Sequence, residues 1–158
     1  MTKILLKILA IFCLVIFQIA VMTKLTIWGT IPNLIILLAI AMVFRGRLQD
    51  GILLAGVGGL LLDLASPIRF GAYTMLFLAA IGVINFYVLR VFPTPSLMVS
   101  FLIFAAGILL IDLTLFLLLG DIPYWQLFPQ AIIGGLWGIF IYWLVEKIIK
   151  PKEEIKLT

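Results

Sequence analysis

Histidine is absent from this 158-residue chain, and cysteine occurs once, as Cys13. The first absence removes the commonest general base and the commonest metal ligand together. The second leaves no disulfide and no cysteine metal site, because Cys13 stands alone in an apolar run. Charge is scarce as well. Asp, Glu, Lys and Arg make up 11% of the residues, where ordinary globular chains carry about 25%. GxSxG, HExxH and P-loop motifs are all missing. An enzyme needs a nucleophile with its base, a metal cluster, or paired acids around a cleft. Isolated acids without a supporting constellation do not supply that, so a non-enzymatic protein without cofactor or metal is expected. The net charge of +4 is small. It reads as topology and contact with membrane lipids, and not as nucleic-acid binding.

What is abundant is apolar. Hydrophobic residues make up 65% of the chain and the mean hydropathy is +1.34. A soluble core could not hide that much apolar surface, so the composition specifies an all-α integral membrane protein. A single domain over residues 1–158 is expected, with PKEEIKLT as the longest polar piece. Six apolar runs are present, at Ile4–Met22, Ile27–Phe44, Gly51–Ala65, Ala72–Leu89, Leu97–Leu119 and Leu127–Ile149. About 20 residues cross a bilayer, so the second and third runs are short. A re-entrant hairpin there would put Arg45 and Arg47 into hydrocarbon. That cost favours two full spans and a bundle of six transmembrane helices.

Basic residues set the orientation. With the N-terminus in the cytoplasm, Lys3, Lys7, Arg45, Arg47, Arg90, Lys147, Lys150, Lys152 and Lys156 all lie inside. Only Lys24 and Arg69 lie outside. The asymmetry places both termini in the cytoplasm of a bacterial inner-membrane protein. Lys3 and Lys7 before a long apolar run look like a signal peptide, but no small-x-small site follows, so an uncleaved anchor is expected. The stretch GDIPYWQLFPQ, rich in aromatics and proline, is expected as an outer interfacial loop, and Ser96 as the N-cap of the fifth helix.

The stretch GILLAGVGGLLLDLASPIRFGAY carries most information. Gly51, Ala55, Gly59 and Asp63 recur every four residues, forming one helical stripe of small residues that ends in a carboxylate. Small residues at that spacing let a neighbouring membrane helix approach closely, and an intramembrane acid faces protein or water. Gly134 and Gly138 form a second close-packing pair, expected to be internal. Polar residues then fall into one outer layer: Gln18, Asn33, Asp63, Thr74, Asp112 and Gln130, with Arg69 above it. Asp112 lies about 10 Å below the outer end of its helix, too deep for a short side chain to reach water unaided. Asn33, Asp63, Arg69 and Asp112 are the candidate functional residues, with Asp63, Arg69 and Asp112 forming one electrostatic cluster. Each also has a structural alternative. Asn33 could satisfy first-turn backbone donors, Asp63 could be an interfacial acid snorkelling to the headgroups, Gln18, Thr74 and Gln130 could make helix–helix hydrogen bonds, and Asp112 could form an ion pair with Arg69.

The run IPNLIILLAIAMV, then a basic turn, then GVGGLLLDLASPIRFGAY resembles the bacterial rod shape-determining protein MreD family. The shared pattern is Pro-Asn opening an apolar helix, then a glycine-rich helix ending in Asp, a loop and a Gly. It covers Trp28 to Tyr73 and includes Pro32, Asn33, Gly59, Asp63 and Gly71. The resemblance implies a fold like the substrate-capture subunits of energy-coupling-factor transporters. It also implies a scaffold of the cell-elongation machinery that docks an MreC-like protein and, through it, peptidoglycan synthases and an MreB-type filament. Because capture subunits share that architecture, binding of a vitamin or other small molecule for an energy-coupling-factor transporter is the competing expectation.

Overall fold

The computed structural model describes residues 2–21, 24, 31–66, 70–88, 96–119 and 124–149, all but the turns and caps of them helical. The helices are α1 (Thr2–Ala20), α2 (Leu34–Phe44), α3 (Leu48–Ala65), α4 (Ala72–Val83, extended by a π turn at Ile84–Val88), α5 (Leu97–Leu119) and α6 (Tyr124–Ile148). No strand occurs among the described residues. Leu48–Ala65, Leu97–Leu117 and Trp125–Ile148 are long and apolar enough to cross a membrane, whereas Ile4–Ala20, Leu34–Phe44 and Ala72–Phe86 are apolar but shorter. The described residues thus form an all-helical fold with the three long apolar helices of a membrane protein. Arg69, Arg90, Trp28, Pro67, Pro93, Pro95, Asp121 and the tail 150–158 lie outside the described residues.

α2 is the centre of the bundle. Its sequence LIILLAIAMVF has no polar face, and a helix apolar all round is one that is covered all round. Nine of its eleven residues are buried, with α1, α3, α4 and α6 packed around it. At 1.5 Å per residue it is only about 16 Å long, half the hydrocarbon thickness. Arg45 closes it and Gly46, at φ +70°, turns the chain straight into α3. That left-handed backbone position is one that few side chains tolerate.

α5 and α6 form a hairpin with glycine on one side and bulk on the other. A Cβ on Gly134 would collide with Ile108, one on Gly135 with Phe101, and one on Gly138 with Phe104. Phe101, Phe104 and Ile108 lie on one face of α5, so three large side chains seat in a groove of three glycines. Phe44 of α2 completes this packing, edge-on to Phe104 at 5.4 Å and to Tyr142 at 5.8 Å between ring centroids. Gly134 and Gly138 thus lie at an interface inside the chain.

One expectation is refined and another corrected. The stripe Gly51–Ala55–Gly59–Asp63 is buried throughout but does not face a single neighbour. A π turn at Leu54–Gly58 interrupts α3, and its wider winding shifts the helical phase of Gly59 and Asp63. Gly51 meets α2 at Val43 and the Ala39 carbonyl, Gly58 meets Ile35 of α2, and Gly59 meets the backbone of Thr74 in α4. In addition, the segment Tyr124–Gln130 is not a loop. It forms the first two turns of α6, with Pro129 inside the helix and Trp125 and Phe128 exposed. A single proline removes one donor, and this helix continues past it.

Candidate functional site

At one end of the bundle α1, α3 and α5 finish and α2, α4 and α6 begin. The first turns there present backbone N–H groups with no partner in their own helix. Side chains from neighbouring helices satisfy them. Gln18 of α1 accepts from the Leu34 N–H at 3.0 Å and donates to the Pro32 carbonyl at 3.0 Å. Asn33 accepts from the Ile35 N–H at 3.2 Å and is the N-cap of α2. Both act as structural polar groups at the start of the central helix.

Asp63 does the same for α4. Its Oδ1 accepts from the Tyr73 N–H at 2.8 Å, and its Oδ2 accepts from the Thr74 N–H at 3.1 Å and the Thr74 hydroxyl at 2.6 Å. The N-cap position of α4 is Gly71, at φ +93°, which has no side chain to offer. A carboxylate supplied by α3 therefore caps it, at the helix end where negative charge is favoured. Gly59, one turn before Asp63, makes this geometry possible. Its absent Cβ would lie 2.8 Å from the Thr74 Cα.

Asp112, on α5, is buried, and its Oδ2 has no hydrogen-bond partner among the described residues. The half-buried Tyr73 phenol lies within electrostatic reach of the Asp112 and Asp63 carboxylates. Both carboxylates thus act on the same tyrosine. Arg69, expected to join them in one cluster, lies outside the described residues; among the described residues Asp63 is matched by amide and hydroxyl donors. Thr74 belongs to this group; Gln130 is half-buried and Asn85 lies in the π turn of α4. Ser96 accepts from the Val99 N–H at 3.4 Å at the start of α5.

The opposite end holds the ion pairs found among the described residues. Lys7 of α1 pairs with Asp50 Oδ1 at 2.5 Å, and Arg47 Nε lies 2.8 Å from Asp50 Oδ2. Arg45 reaches α6, contacting Glu146 Oε1 at 3.3 Å and donating to the Ile149 carbonyl at 3.2 Å. A cation at the C-terminal end of a helix is well placed against its dipole. Sequence reasoning missed Asp50 and Glu146 because the basic residues around them read only as topology. The i,i+3 spacing of Arg47 and Asp50 is the available signal. Beside them is a half-open cavity of about 310 Å³ between α1, α2 and α3, with Lys7, Arg47 and Asp50 at its polar edge. The rest of its lining is apolar, from residues such as Ile11, Leu14 and Met42.

Among the described residues no three His, Cys, Asp or Glu side chains gather as a metal site. The arrangement joins helices at the capped end and leaves a mainly apolar cavity at the charged end. Comparison with known protein families, curated proteins and solved structures finds no match.

Proposed function

We propose that this chain is a non-enzymatic scaffold of the bacterial cell-elongation machinery, of the MreD type. In this reading it lies in the cytoplasmic membrane with six spans and both termini inside. It docks an MreC-like protein and thereby influences peptidoglycan synthases and an MreB-type filament that build the lateral wall. The observation that supports it best is the use made of the polar layer. Gln18, Asn33 and Asp63 are bonded to the starts of neighbouring helices, as a rigid docking body requires and a ligand pocket does not. The resemblance over Trp28 to Tyr73 includes Asn33 and Asp63, though not Gln18, so the shared pattern takes in the caps of both α2 and α4.

The competing reading is a small-molecule capture subunit of an energy-coupling-factor transporter. Asp112 is the observation in its favour, being buried with one carboxylate oxygen that has no partner among the described residues. The cavity counts against it, because it lies at the charged end and its walls are mainly apolar. Depletion of the protein from a rod-shaped host tests the proposal. Rounding of the cells is expected; unchanged rods with lost uptake of a vitamin would favour capture.

A further inference from the structure

We propose that the cavity between α1, α2 and α3 binds one anionic phospholipid, its phosphate at Lys7 and Arg47 and an acyl chain along the apolar wall. This inference does not depend on the elongation reading. The volume, about 310 Å³, falls within the range of small-molecule sites. Its chemistry is split as a phospholipid's is, with Ile11, Leu14 and Met42 below a charged edge. Among the described residues that edge carries two cations and one anion, so their sum is net positive even with both ion pairs formed.

The cations also keep donors to offer. Arg47 engages Asp50 through Nε, and its two Nη groups make no hydrogen bond among the described residues. Lys7 uses one of its three donors on Asp50. The Lys7 and Arg47 side chains are 47% and 32% exposed, against 16% for Asp50, so the positive groups face outward and the acid lies behind them. Arginine forks are suited to bidentate phosphate contacts. Asp50 then has a definite role: it holds both cations at the mouth and competes with the phosphate for them.

The test uses the purified full-length protein, delipidated in a neutral maltoside detergent. Native mass spectrometry follows added dioleoyl-phosphatidylglycerol, dioleoyl-phosphatidylcholine or inorganic phosphate. One phosphatidylglycerol is expected to be retained, in preference to phosphatidylcholine, and inorganic phosphate is expected neither to bind nor to displace it. Arg47→Gln is expected to weaken phosphatidylglycerol binding about tenfold, the scale of one lost charge-assisted contact. Ala10 lines the cavity from an exposed position, so Ala10→Phe tests the acyl site with little risk to folding and is expected to abolish retention. Asp50→Asn separates binding from structure, since removing the competing acid is expected to raise affinity. Equal retention of the two lipids, unchanged binding in Ala10→Phe, or weaker binding in a folded Asp50→Asn protein would overturn the proposal.

Discussion

Asp63 holds Thr74 by two hydrogen bonds to one oxygen, from its backbone N–H at 3.1 Å and its hydroxyl at 2.6 Å. Gly59 lets the same residue approach to a distance that no Cβ could share. Two features of the sequence, a glycine spacing and an intramembrane acid, thus meet at one helix N-terminus. This joint between α3 and α4 yields the most direct structural predictions.

Asp63→Ala is expected to destabilise the protein in detergent by about 2–4 kcal/mol, because it orphans buried donors on Tyr73 and Thr74. Asp63→Asn keeps an acceptor oxygen and is expected to cost less. Thermal unfolding followed by size exclusion provides the ranking. A double-mutant cycle with Thr74→Val is expected to show coupling between the two positions; additive effects would mean the contact is not made.

Gly59→Ala places a methyl group against backbone atoms, which cannot rotate away, and is expected to cost more than Gly134→Ala, which meets the flexible end of Ile108. Gly82→Ala is the control. A Cβ there meets nothing within 4 Å, and replacing a helical glycine is expected to stabilise by about 0.5–1 kcal/mol. The three melting temperatures, measured in one detergent, check the order.

Asp112→Asn is expected to leave stability equal or higher, by up to about 1 kcal/mol, because it relieves a buried carboxylate whose Oδ2 is unpartnered. Marked destabilisation would reveal a partner for that oxygen. Loss of function with intact folding would assign Asp112 a role in binding, as the capture reading requires.

Membrane orientation is tested with single cysteines in a Cys13→Ser background. Gln49 and Ala65 are exposed at opposite ends of α3. With the basic end inside, Ala65→Cys is expected to react with an impermeant maleimide in intact cells, and Gln49→Cys only after the cells are opened. The reverse pattern would invert the topology.

The helical membrane class is legible from composition, and the start of α2 from Pro32 and Asn33. The burial of Asp63 is legible from its place on the glycine stripe. Its partner is not, because a cap reaching from another helix leaves no mark within the local pattern that identifies N-caps. The π turn at Leu54–Gly58 is hidden for a related reason. Its residues are good membrane-helix residues, and nothing in their local pattern distinguishes wider winding from an ordinary helical turn. The length of α6 escapes the sequence because Pro129 and its aromatic neighbours look like a loop, although one proline does not end a well-packed helix. At the other end, Lys7 and Asp50 are 43 residues apart, and only the fold brings them together.

The scaffold reading is tested most directly by the proteins that stay bound to this one when it is extracted gently from its own membranes. Affinity purification of the full-length protein in a mild detergent, with mass-spectrometric identification of stoichiometric partners, is the measurement. An MreC-like protein, with peptidoglycan synthases in lesser amount, is the expected result. Recovery of a pair of ATPases with a coupling membrane subunit, and of no MreC-like protein, would contradict the account and identify a transporter subunit.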